Sequence, residues 1–138
     1  MISRDDAIKI IQKLPSELIP TGSFVRNHKV LNDLDFLSLT PLNKILSQIK
    51  GATIISKGNK RTKIILNGAN IDIWFIDDKN LLPFFQLEFD SGLNIIRLKM
   101  KAKAKGLLLS VNGLFKDNKR IGLNIKTKKD IINFIEHF

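Results

Sequence analysis

Apolar and polar positions change period several times along the chain, and each change marks an element. In "MISRDDAIKIIQKLPSEL", Ile8, Ile11 and Leu14 recur at helical spacing. Ser3 stands where an N-cap belongs, Asp6 follows three residues later and Pro15 closes the run, so a first helix is predicted. The polar "SFVRNHK" reads as a loop and the mostly apolar "VLNDLDFLSL" as a buried strand. "TPLNKILSQIKG" is helical again, with Thr40 as N-cap, Pro41 at the first helical position, Leu42, Ile45, Leu46 and Ile49 on one face, and Gly51 past the end. Three short β runs follow, "ATIISK", "TKIIL" and "IDIWFI", joined by the turn-rich "GNKR" and "NGAN".

Beyond "DDKN" at residues 77 to 80 the pattern changes, and a boundary is expected near residue 79, giving lobes 1–79 and 80–138. "LLPFFQLEF" is apolar and aromatic, "DSG" interrupts it, and "LNIIRLKMKAKAKG" follows. Lys99, Lys101, Lys103 and Lys105 alternate as they would on one face of a strand. Ala102, Ala104 and Gly106 favour a helix instead, with Arg97, Lys101 and Lys105 aligned at four-residue spacing. "LLLSVNGLFKDNKRIGLNI" reads as a small hairpin region, and Thr127 with Asp130 caps a last helix carrying Ile131, Ile132, Phe134 and Ile135. The fold class predicted is α+β: a small sheet with helices against it, then a small α+β lobe.

Composition narrows the chemistry. The chain has 138 residues and 43% hydrophobic content, enough for one core or two small lobes. No cysteine is present, which excludes disulfides, thiolate metal sites and cysteine nucleophiles. His28 and His137 are too few and too far apart for a histidine metal cage, and His28 reads as an exposed loop residue. No apolar run reaches spanning length and the start is amphipathic, so a soluble intracellular protein is expected, without a membrane partner. The 23 Lys and Arg against 13 Asp and Glu leave a net charge of +10, which points to a polyanion, most simply nucleic acid. High Asn, Ile and Lys usage is the plainer account of the same surplus.

The strand "VLNDLDFLSL" raises the sharpest question. Residues i and i+2 of a strand project from one face about 6.5 to 7 Å apart. Asp33 and Asp35 therefore point together while Leu34 and Phe36 take the other face. Half-buried carboxylates without a counter-charge are costly, and one of a pair protonates. Divalent cations resolve this, since carboxylates sharing two Mg²⁺ about 4 Å apart serve in-line phosphoryl transfer. Asp72, between Ile71 and Ile73, supplies a third carboxylate if its strand neighbours the first. Gly22 and Ser23, ten residues ahead of Asp33, place backbone N–H groups and a hydroxyl where a phosphate could be held, and Arg26 follows in the same loop. Singly each element is common; together they are specific.

This combination resembles the nucleotidyltransferase superfamily, and within it the family X DNA polymerases of the polymerase β type. "GSFVRNHKVLNDLDFL" looks like the family's Gly-Ser-aromatic, arginine and two-aspartate palm motif, and "ISRDDAIKIIQKL" like the helix that opens that palm. "SKGNKRTKIIL" and "NIDIWF" are similar to the strand pair ending in its third metal aspartate. "EFDSGLNIIRLKMKAKAKGLLLSVNGLF" is similar to the helix and hairpin after the palm, and "KTKKDIINFI" to its closing helix. The resemblance covers essentially the whole chain. It begins at the palm, so the N-terminal lyase and helix-hairpin-helix lobes have no counterpart, as in the minimal viral members.

The resemblance implies a nucleotidyltransferase-type palm plus a C-terminal lobe that contacts nucleotide and template. It implies a monomeric enzyme acting on gapped or primer-template DNA and dNTP, filling short gaps in repair. By that resemblance Asp33, Asp35 and Asp72 hold two Mg²⁺, with Mn²⁺ as substitute, and Asp72 is nearest the primer 3′-OH as candidate base. Gly22, Ser23, Arg26, Phe89, Gly92 and Asn94 contact the nucleotide, and Arg97 touches the template side of the new pair. Lys99, Lys101, Lys103 and Lys105 are read as DNA phosphate contacts, with a solvated face as the plain alternative. The chain departs from the family's Tyr-Phe-x-Gly segment, reading Glu88-Phe89-Asp90-Ser91-Gly92 with no tyrosine anywhere, and carries Asn70 where an arginine is frequent. The rivals are a template-independent or RNA-acting nucleotidyltransferase, and a nucleic-acid binder without catalysis.

Overall fold

The computed structural model describes all residues, 1–138. The chain divides into two compact units, Met1–Asp77 and Asp78–Phe138. No helix is long and apolar enough to cross a membrane.

The first unit runs β1 (Ile2–Ser3), α1 (Arg4–Ile11), β2 (Ile19–Thr21), β3 (Val30–Leu31), β4 (Asp33–Ser38), α2 (Leu42–Ser47), β5 (Thr53–Lys57), β6 (Arg61–Leu66) and β7 (Ala69–Phe75). Five strands form one mixed sheet in the order β2-β4-β7-β6-β5. Only β4 and β7 run parallel; the other neighbours are antiparallel. The two faces of this sheet differ sharply. Leu34 and Phe36 of β4, Ile64 and Leu66 of β6, and Ile71 and Ile73 of β7 are buried on one face, in a core shared with Ala7 and Ile10 of α1 and Leu42 and Ile45 of α2. Residues one position out of phase (Asp33, Asp35, Arg61, Lys63, Asn70, Asp72) carry the polar face, because side chains alternate along a strand.

Local rules account for several joints. Ser3 accepts a hydrogen bond from the Asp6 N–H and caps α1. The β6–β7 hairpin closes on Asn67 and Gly68, at φ +50° and +78°, the left-handed pair a tight two-residue turn requires. Other joints depart from the sequence pattern. The buried face of α1 is Ala7 and Ile10, while Ile8 is exposed, and the helix ends a turn early at Ile11. The strand predicted over residues 30 to 39 is interrupted at Asn32, so that β3 pairs with β1 and only β4 joins the main sheet. Thr40 does not cap α2. Pro41 takes the cap position, and the Thr40 N–H instead donates to the buried Ser38 hydroxyl.

The second unit comprises a 3₁₀ turn at Lys79–Leu81, α3 (Leu82–Asp90), α4 (Asn94–Ala104), a three-stranded meander of β8 (Leu108–Ser110), β9 (Gly113–Lys116) and β10 (Lys119–Ile121), and α5 (Lys128–His137). Phe84, Leu87, Ile95, Ala102, Leu109, Leu114, Ile131 and Ile135 fill its core. Gly106, at φ +78°, ends α4: its N–H donates to the Lys103 carbonyl and that of Leu107 to the Ala102 carbonyl, satisfying two terminal acceptors. The lysine-rich segment is thus helical. Of the larger aromatic side chains, Phe84 is buried, whereas Trp74, Phe85, Phe115 and Phe134 are half-buried.

Thr127 and Asp130 form a reciprocal capping box on α5. Thr127→Ala should cost about 1 kcal/mol of stability, read as a lowered urea midpoint with unchanged slope.

Candidate active site

The parallel register sets Asp35 opposite Asp72 and Asp33 opposite Asn70. Because Asp33 and Asp35 are two residues apart on β4, all three carboxylates share the polar face, on adjacent strands about 4.8 Å apart. Asp33 is exposed, Asp35 half-buried and Asp72 buried. Burial, then the Asp72 charge, then the Asp33 charge push the Asp35 carboxyl up to about 6, against the opposing pull of Arg26 and Arg61. The cluster therefore lacks positive charge as it stands.

Part of that deficit is met from β6. The tight turn at Asn67–Gly68 fixes the hairpin so that Lys63 lies opposite Asp72 and Arg61 opposite Trp74. Arg61 Nε lies 3.0 Å from Asp72 Oδ1 and Arg61 Nη2 lies 3.1 Å from Asp72 Oδ2, while Lys63 Nζ stands 3.9 Å from Asp72 Oδ2. The Arg61 guanidinium also lies 4.5 Å from the centre of the Trp74 ring. No three His, Asp or Glu side chains form a ready metal cage. The donors are nonetheless of the type magnesium takes: carboxylate oxygens, few in number, open on the Asp33 side to water and phosphate. The raised Asp35 carboxyl is what a cation between these strands would relieve. The residues fit a divalent ion, provided that Asp72 exchanges its guanidinium for it.

The loop between β2 and β3 approaches the same place. Thr21 pairs with Asp35, and Gly22 follows at φ +70°. A Cβ on Gly22 would meet Asp35 Oδ2 at 2.6 Å, so glycine is required both by conformation and by space. The loop then makes a helical turn, with the Arg26 N–H donating to the Gly22 carbonyl. Arg4 holds this loop from α1. Its Nη1 donates to the Phe24 carbonyl at 2.8 Å and the His28 carbonyl at 3.4 Å, and its guanidinium lies 4.2 Å from the centre of the Phe24 ring. Ser23 is half-buried, and Arg26 and His28 are exposed.

The other candidate residues lie in the second unit. Phe89 is half-buried near the end of α3, and Gly92 follows at φ +55°. Asn94 and Arg97 are exposed on α4 and line a cleft with Leu87, Ser91, Lys101 and Ile132. The lysines differ among themselves. Lys99 pairs with Glu88 at 2.8 Å, Lys101 stands 3.7 Å from Glu136, and Lys105 donates to the last carbonyls of α5, those of Ile135 and Glu136. Lys103 projects into solvent.

No family model matches the chain. It is 29% identical, over an alignment of 139 residues covering 90% of this chain and 78% of the relative, to the repair DNA polymerase X of a South African tick isolate of African swine fever virus. Identity is 28% to the same polymerase of a Namibian warthog isolate and 27% to that of the Badajoz strain, over the same shares. The chain resembles a minimal viral family X polymerase. Within this polymerase X-like chain, the structure adds Arg61, Lys63 and Arg4 to the residues singled out from sequence. Arg61 and Lys63 were legible from the Asn-Gly turn, whose two-residue length dictates what faces Asp72. Arg4 left no such signal, since its partners are main-chain carbonyls of a distant loop.

Two stability measurements test this geometry. Gly22→Ala should destabilise by about 1–3 kcal/mol in urea, because both the left-handed backbone and Asp35 oppose a methyl group there. For Asp35 the carboxyl is raised on folding, so its contribution is complete below the unfolded-state value and lost as pH rises through about 6. Discounted for partial solvent access, Asp35→Asn should therefore be about 1–2 kcal/mol more stable than the native chain at pH 8 in EDTA, with the advantage shrinking toward pH 4.

Proposed function

We propose that the chain is a template-directed DNA polymerase of the family X type, adding dNTPs to a primer 3′-OH and filling short gaps in DNA repair. The observation that carries the reading is the register of Asp35 opposite Asp72, with Asp33 beside them and Gly22 backed against Asp35. In this reading the five-stranded sheet is a nucleotidyltransferase palm. The similarity to viral enzymes named repair DNA polymerase X supports the DNA substrate, and the net charge of +10 agrees with it.

Asp33, Asp35 and Asp72 would hold two Mg²⁺, and Mn²⁺ would substitute. When bound, such ions neutralise charge on the transferred phosphoryl group and lower the pKa of the attacking hydroxyl. The chain's own residues do the rest. Gly22 leaves the main chain open toward Asp35, Ser23 offers a hydroxyl, and Arg26 a guanidinium for the β- and γ-phosphates. Arg4 ties that loop to α1 through the Phe24 and His28 carbonyls, which would limit its reorganisation on binding the triphosphate. Asp72, in register with Asp35, would accept the proton of the primer 3′-OH. Phe89, Gly92 and Asn94 would contact the nucleotide and Arg97 the template. Lys103 is the lysine of α4 most available for a DNA phosphate, with Lys101 next; Lys99 and Lys105 must leave their partners to serve there.

A second reading, nucleic-acid binding without chemistry, has one observation in its favour: Asp72 is already engaged by Arg61 and Lys63. Single-nucleotide addition to a one-nucleotide-gapped duplex separates the two. With Mg²⁺ the native chain should add the templated nucleotide, and Asp35→Asn should lower the rate by roughly a thousandfold or more. Addition that ignores the template would indicate a terminal transferase. Binding without addition in Mg²⁺ or Mn²⁺ would indicate the non-catalytic module.

A further inference from the structure

Arg61 occupies Asp72 by both carboxylate oxygens, at 3.0 and 3.1 Å, in the fork geometry that makes arginine–carboxylate pairs strong. A divalent ion on Asp72 needs at least one of those oxygens. It would also bring like charge to within a few ångström of the guanidinium, so the two arrangements exclude one another. The position of Arg61 is not accidental, since the tight hairpin turn and the Arg61–Trp74 register deliver it there. Its side chain is 43% exposed, against 7% for Asp72, so the arginine has solvent to move into and the aspartate does not. The Trp74 ring, 4.5 Å from the guanidinium, offers a second favourable contact beside the first. Lys63 at 3.9 Å is too distant to hold Asp72 in the same way.

We propose that Arg61 is a resident counter-cation of the carboxylate cluster, which a divalent ion must displace from Asp72, with the Trp74 ring as the surface the guanidinium retains when it withdraws. Arg61 thereby keeps Asp72 neutralised and oriented in the metal-free protein and sets the threshold of divalent ion at which the cluster converts. Arg61 is a positioning residue in this scheme, acting through Asp72. The inference rests on the polymerase reading in one respect, that Asp72 is a metal ligand.

Trp74 supplies the readout. It is the sole tryptophan and the chain has no tyrosine, so intrinsic indole emission reports on the ring that Arg61 covers. Mg²⁺ is titrated into the native chain, Arg61→Gln, Arg61→Lys and Asp35→Asn without nucleotide or DNA, followed by Trp74 emission and independently by calorimetry. The native chain should show a saturable emission change. Arg61→Gln should bind Mg²⁺ about tenfold more tightly, with most of the emission change gone, the factor being that of one partly exposed charge-assisted pair. Arg61→Lys, which keeps the charge without the fork, should fall between. In EDTA the melting temperature of Arg61→Gln should lie below that of the native chain, and saturating Mg²⁺ should close the gap. Equal or weaker Mg²⁺ binding by Arg61→Gln would overturn the displacement while leaving the metal site, provided Asp35→Asn abolishes binding. No Mg²⁺ binding by any of the four proteins would overturn both the displacement and the polymerase reading.

Discussion

The parallel pairing of β4 with β7 puts Asp35 directly across from Asp72, and two carboxylates at that spacing repel. The pairing persists because the opposite face of the same strands is mostly apolar and buried. Leu34, Phe36, Ile71 and Ile73 are each almost completely buried, and burial of such side chains stabilises by about 1.5–3 kcal/mol apiece. The penalty at Asp35, reduced by its access to water, is on the order of 1–2 kcal/mol. Packing on one face therefore decides the register, and the chemistry on the other face inherits it. A shift of one residue would exchange the faces, bury the carboxylates in the core and expose Phe36.

The cost on the polar face is distributed over several elements. Arg61 and Lys63 arrive from β6, and Arg26 from the loop after β2, so no single cation neutralises the cluster. Asn70 stands opposite Asp33 on the edge of this arrangement, and the guanidinium beside Asp72 comes from the neighbouring strand. Gly22 shows the same pressure in its backbone, since any side chain there would collide with Asp35. Local rules of stability give way around this cluster, which is where a function is expected to sit.

In the second unit the positive charge is less free than its count implies. Lys99 ties α4 to α3, Lys105 closes the C-terminal end of α5, and Lys128 meets the nearly buried Asp90 carboxylate at 3.0 Å. These lysines hold helices together, which leaves Arg97 and Lys103, and more weakly Lys101, as the exposed cations of α4.

The sequence by itself determined whatever depends on near neighbours. Ser3, Gly106 and the Thr127–Asp130 box mark helix ends because caps act within three or four residues. Asn67–Gly68 sets a hairpin register because only the left-handed pair closes it, and alternation along β4 puts Asp33 and Asp35 on one face. Tertiary structure decided the remainder. No local rule pairs β4 with β7, which lie more than thirty residues apart, so Asp72 beside Asp35 follows from shared burial. The break at Asn32, the transfer of the α2 cap from Thr40 to Pro41 and the choice of Ala7 over Ile8 as the buried face of α1 were likewise settled by packing. The partners of Arg4, Arg61, Lys99 and Lys105 follow from the same cause. A flexible cation has no preference along its own segment, and its partner is whatever anion or carbonyl the packed core brings within reach.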